Sequence, residues 1–255
     1  MIAGLPVGSR GFVRDYARAK LKEHERCHFA VRVMQDVQVS FLLLRYCLGA
    51  RLMHLLRGCG SVLRERDGGA PSPVELHDSQ HCNSLAALLV CPRDAGLRRS
   101  VTASHFHANV WQQAVMPPSM GGVGLACAAM VCECAYLAGC LACLPYLRTH
   151  ARLLHAPSAL GPDSALPTFA ALRAAARRVS SASAGPVDFP TLLSASPPAQ
   201  RALAEGLWAR ARVALLGAQV DDGGRARVAS CGGAYAGAWL DVLPLSVEQR
   251  ATPEH

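Results

Sequence analysis

The sequence predicts an all-α protein, an irregular bundle of about five to six helices joined by long loops. Three observations carry this. A chain of 255 residues with 51% hydrophobic content has ample material for a core. Aromatic residues make up only 5%, while alanine and leucine are abundant, which favours helices over pleated sheet. Apolar side chains recur at helical spacing through several long segments.

The first helix is expected over about 12–31. Val13, Ala17, Leu21, His24, His28 and Val31 fall along one stripe of it, and Arg14, Arg18, Lys22 and Arg26 along another. A second helix over about 36–57 is apolar nearly all round, as a central helix is, with Gly58 and Gly60 expected to stop it. Charged, glycine-rich and proline-containing residues 64–73 make a loop. A third helix should run from Pro73 or Val74 to Val90 or Cys91, with Leu85, Leu88 and Leu89 inward and a proline and an Arg-Arg pair closing it. In 116–125, Pro117 and Pro118 cannot donate backbone hydrogen bonds and so end what precedes them. Gly121, Gly122 and Gly124 supply the freedom for a sharp re-entry into the apolar helix 126–147. Beyond Pro157 the composition shifts to alanine, serine and proline. A short helix is expected over 168–179, a linker over 180–185, and a stronger helix over 198–219 with Leu203, Leu207, Val213 and Leu216 among its apolar positions. Residues 221–233 read as a turn-rich connection and 246–255 as a mobile tail. The expected regions are 1–66, 67–156 and a loosely packed 157–255.

The run 126–147 is long enough to span a bilayer, which makes a single-span membrane protein one alternative. Glu133 stands near its middle, and alanine, glycine and cysteine are only weakly driven into lipid, so a buried soluble helix is favoured. The 11 cysteines are scattered without paired spacing, and the first ten residues carry neither a basic start nor a long apolar stretch. A reducing intracellular compartment, nucleus or cytoplasm, is therefore expected. Cys132 and Cys134, two residues apart, point to different sides of a helix and cannot share one ion, so inert buried thiols are expected there and no cofactor.

A formal net charge of +8 and a sequence pI near 9.1 suit a polyanionic partner. Four like charges in line, Arg14, Arg18, Lys22 and Arg26, cost stability unless something neutralises them, and phosphates would do so. The alternative is an ordinary solvated face beside Asp15, Glu23 and Glu25. Within the same helix, His24, Glu25 and His28 match the H-E-x-x-H pattern of zinc peptidases, in which two histidines one turn apart bind the ion and the glutamate activates its water. Against a zinc hydrolase, Met34 occupies the position of a metzincin third ligand, and the following helix offers no glutamate. His77 and His81 with Cys82, and His105 with His107, are weaker pairs, expected to be core or surface histidines.

Four stretches in order carry a family resemblance: residues 4–9 (GLPVGS), 42–57 (LLLRYC through RLMHLLR), 116–125 (MPPSMGGVGL) with the apolar helix after it, and 236–240 (AGAWL) with Leu243-Pro244. This register resembles the region downstream of the polymerase palm in reverse transcriptases of non-LTR, LINE-like retrotransposons. The resemblance implies that the first helix belongs to a thumb that follows a duplex by its backbone, without reading sequence. It also implies that the palm lies outside this chain. Polymerase chemistry needs paired aspartates on a palm hairpin holding two metal ions. The one Asp-Asp pair here, Asp221-Asp222, sits between Gln219-Val220 and Gly223-Gly224, a turn context with no aromatic residue. The expectation is a non-catalytic reverse-transcriptase remnant that at most binds RNA or DNA backbone.

Overall fold

The computed structural model describes residues 5–90, 102, 104, 108–150, 161–194, 200–233 and 236. It is all-α, with no strand among the described residues. The helices are α1 (Arg10–Val33), α2 (Val37–Leu42), a π-helical segment (Leu43–Leu48), α3 (Met53–Leu63), α4 (Pro73–Val90), α5 (Ala108–Ala114), α6 (Ala128–Thr149), α7 (Pro167–Ala182), α8 (Phe189–Ser194), α9 (Gln200–Gly217) and α10 (Asp222–Ser230). The long helices lie where periodicity places them. The number exceeds the expected five to six because short helices form in segments too brief to show a period.

Two corrections concern the apolar stretch after α1. The expected single helix over 36–57 is divided: α2 runs into the π-helical turn, and residues 49–52 interrupt the ladder before α3 begins. Gly58 and Gly60 do not stop anything. They lie inside α3, where small size matters more than helix propensity, since a Cβ at Gly60 would sit 3.0 Å from the Cys132 carbonyl oxygen. Residues 221–233 likewise hold α10, whose first turn is capped by the Asp221 carboxylate accepting from the Gly224 N–H.

The chain divides into two compact units, each assembled from separated stretches. Unit 1 comprises Met1–Arg14, Met53–Val74 and Ala128–Arg210. Its centre is α6, which packs against α3 and α7. Leu55, Leu56 and Leu63 of α3, Val131, Leu137 and Leu141 of α6, and Phe169, Leu172 and Val179 of α7 are buried. The crossing of α3 and α6 is close because both helices offer glycine: a Cβ at Gly139 would meet the Arg57 carbonyl oxygen at 2.6 Å. Leu203 and Leu207 of α9 are buried as expected.

Unit 2 comprises Asp15–Leu52, Glu75–Cys127 and Ala211–His255. Its main core joins Val31, Leu44, Leu48, Leu85, Leu88, Ala114 and Leu125, and a smaller one joins Met116, Leu215 and Val228. Leu89, expected inward, is 55% exposed, and Val213, one of the apolar positions of α9, is 70% exposed. The Pro-Gly turn folds back on α5 as its composition requires. Pro117 O accepts from Met120 N at 2.9 Å, Met116 O from Gly124 N at 2.9 Å and Ala114 O from Leu125 N at 3.1 Å, with Gly121 at φ 90° and Gly124 at φ 71°. Gly122 has an ordinary φ and is required for space instead.

Candidate functional site

Helix α1 starts where the Ser9 hydroxyl accepts from the Phe12 N–H at 3.2 Å, a cap that follows directly on the turn at Gly8. Its expected inward stripe is inward: Val13, Ala17, Leu21, His28 and Val31 are buried, and His24 is half-buried. The opposite stripe is the candidate interface, and its four cations are not equivalent. Arg14 lies in unit 1, with 16% of its side chain exposed, and contacts Glu65 at 3.4 Å and Asp67 at 3.3 Å. Arg18 lies 3.6 Å from Asp15, one turn before it. Lys22 and Arg26 are exposed and carry no ion pair among the described residues. The neighbouring Lys20 reaches Glu23 at 2.9 Å, and their pairing raises the lysine pKa and lowers the glutamate's. The repulsion expected of the row is therefore relieved by the protein's own carboxylates at Arg14 and Arg18, and persists only at Lys22 and Arg26.

The H-E-x-x-H residues separate. His28 turns inward, with Nδ1 2.9 Å from the Ser84 hydroxyl of α4, whereas Glu25 is exposed. What His28 meets is the pair His77 and His81. Its ring lies edge-on to His81 with centroids 4.7 Å apart, and His81 stacks on His77 at 4.1 Å. His77 and His81 are each 1% exposed. Sequence reasoning registered the helical spacing of the two histidines in α4 and of those in α1; that the two pairs meet is a property of the packing. Among the described residues no group of three or more His, Cys, Asp or Glu side chains is placed so that it could hold a metal ion. His105 and His107 lie outside the described residues.

The other chemistry-bearing groups are structural in placement. All ten described cysteines are free thiols. Cys132 donates to the Gly60 carbonyl at 3.1 Å. Burial pushes the Cys134 thiol up to about 12 and the Cys82 and Cys140 thiols up to about 11, so none is a nucleophile at neutral pH. α6 is long and apolar enough to cross a membrane by length and composition, and more than half of its most apolar stretch is buried within the protein. Its Glu133 is met by Arg178 of α7 at 2.6 Å and by Arg64 at 3.7 Å. No protein-family model, curated protein or solved structure matches the chain.

Proposed function

We propose that this chain is a non-catalytic counterpart of the thumb and post-thumb region of LINE-like reverse transcriptases, and that it touches RNA or DNA backbone weakly through the exposed part of α1's basic stripe. The observation that carries the reading is the placement of Lys22 and Arg26: one turn apart on a 24-residue helix, exposed, and without ion pairs among the described residues, in a chain of net charge +8. Such an arrangement presents paired cations at a spacing suited to successive phosphates. Arg18 adds to it from the next turn, and Arg14 does not, being held by Glu65 and Asp67. Two of the motif-like stretches support the family reading locally. The Gly8-Ser9 turn leads into a capped charged helix, and the Pro-Gly turn at 116–125 is a tight re-entry followed by the apolar α6. The fourth stretch, beyond Ala236, lies outside the described residues.

Polymerase chemistry has no support in Asp221-Asp222, since Asp221 is occupied as the cap of α10. Neither alternative activity gains an observation. Glu25 is turned to solvent from the His28 side of α1, and the one charge in the middle of α6 is paired with arginine rather than facing lipid.

The test is binding of labelled RNA and DNA hairpins at low salt by the parent chain, by K22E/R26E, and by R201E/R227E as a control of equal charge change elsewhere. Parent and control should bind with a steep salt dependence, and K22E/R26E should lose about two from the slope of log K against log salt, one per phosphate contact. Absence of salt-sensitive binding in the parent, or an equal loss in the control, sinks the reading. So does magnesium-dependent primer extension by the purified chain.

A further inference from the structure

Phe29 is 49% exposed, although α1 has a buried side for apolar residues to take. Cys27 and Val31 of the same helix join the main core of unit 2 from that other side. At about 100° per residue, Lys22, Arg26 and Phe29 fall within about 60° of the helix circumference, and Val31 points directly away from Lys22. With a rise of about 1.5 Å per residue, Phe29 follows Arg26 by roughly 4.5 Å along the axis and Lys22 by roughly 10 Å. A single exposed phenyl group calls for no explanation on its own. One set in register with two exposed cations does, because stability alone favours a polar side chain there.

We propose that the nucleic acid held by Lys22 and Arg26 is single-stranded, with an unpaired base stacked on the Phe29 ring. The inference rests on the nucleic-acid reading above and names the form of polyanion that the stripe takes. Cations that track a backbone interleaved with an aromatic platform are the two components of single-strand binding, and every base has a π-face to offer. In a duplex those faces are covered by neighbouring base pairs, so a helix lying on the backbone gains nothing from an exposed phenyl ring. An unpaired strand can turn a base outward while its phosphates stay on Lys22 and Arg26. Glu25, exposed at the edge of the stripe, and Glu23, held by Lys20, confine the attraction to a short stretch of strand. An anionic membrane surface shares the phosphate chemistry, but a helix that lies in a bilayer interface needs a broad apolar face. Here the exposed apolar surface in the stripe is one ring, while the helix's broad apolar side is buried.

The full chain is titrated at low salt with labelled oligothymidylate and with its duplex with oligoadenylate. The parent should bind the single strand more tightly than the duplex. Phe29→Leu, which keeps apolar bulk and removes the ring, should weaken single-strand binding by at least about 5-fold with the salt slope unchanged, and leave duplex binding as it was. Phe29→Trp should keep the affinity or raise it. Oligothymidylate carrying 5-iodouracil should crosslink to Phe29 of the parent under long-wave ultraviolet light. If K22E/R26E still lowers the salt slope but Phe29→Leu binds the single strand like the parent, this inference falls and the backbone reading stands. Absence of salt-sensitive binding in the parent removes both. Tighter binding to the duplex overturns the inference, as does Phe29-dependent binding to phosphatidylserine vesicles without Phe29-dependent binding to oligothymidylate. If Phe29→Leu does not fold, the parent decides: crosslinks that map away from Phe29 overturn it as well.

Discussion

The Glu133 carboxylate lies 2.6 Å from Arg178 Nε and 3.1 Å from its Nη2, a two-pronged contact between the middle of the most apolar helix and its neighbour α7. The glutamate side chain is 4% exposed and the arginine 44%, so the pair stands between a buried and a surface ion pair. Removing the cation strands the carboxylate. Arg178→Ala should destabilise unit 1 by about 2 kcal/mol, between the exposed and buried ranges, with Arg64 supplying part of the missing charge. Chemical denaturation of Arg178→Ala beside Arg201→Ala checks this, since Arg201 makes only an exposed pair with Glu205 and should cost little.

Gly122 leaves no room for a side chain. An added Cβ would approach the Met116 carbonyl oxygen to 2.0 Å and that of Gln113 to 2.4 Å, both backbone atoms that cannot swing away. Gly122→Ala should therefore cost about 3 kcal/mol or more and shift the thermal midpoint down by several degrees. Gly185→Ala, with open space around it, should leave the midpoint almost unchanged.

Acid should loosen unit 2 in a defined window. His28 is held neutral by burial, with its pKa pushed from 6.5 down to about 3, and His81 is lowered by the same cause. An unfolded chain takes up these protons below about pH 6.5, whereas the folded one does not. Their neutral burial is thus fully tolerated above that pH, and stability falls as pH drops from 6.5 toward 3. Trp111, packed against the main core of this unit, reports the transition. In a W208F/W239F background, urea midpoints followed by its fluorescence should decline across that range, and His28→Gln should flatten the decline.

Asp221 caps α10, its carboxylate accepting from the Gly224 N–H. Asp221→Ala should cost about 1 kcal/mol through loss of the α10 cap, and Asp221→Asn, an equally good cap, almost nothing. Denaturation of both variants separates capping from any role that needs the negative charge, because such a role would be lost equally in each.

The boundaries of α1, α4 and α6 were legible because polar and apolar residues alternate at helical spacing, or because proline and glycine punctuate the ends. The division of 36–57 was not, since a stretch apolar on every side has no phase to interrupt. Gly58 and Gly60 were misread for a physical reason: composition cannot distinguish a glycine that ends a helix from one that lets two helices approach. α8 was missed although Asp188 announces it, accepting from the Thr191 N–H at 3.0 Å and hydroxyl at 2.6 Å, contacts that hold its carboxyl below the usual range. At the candidate site the basic stripe was visible as spacing, but the carboxylates that claim Arg14 come from residues 51 and 53 positions away. The meeting of His28 with His77 and His81 was hidden in the same way.

The glycines at the α3–α6 crossing set how near the central helix pair of unit 1 can lie. At Gly139 an added side chain would meet the Arg57 carbonyl oxygen at 2.6 Å and wedge the pair apart, whereas at Gly60 it would press on the Cys132 carbonyl oxygen at 3.0 Å and ask its neighbours to give by a few tenths of an ångström. Of the two positions, 139 is therefore the less able to accept any other residue.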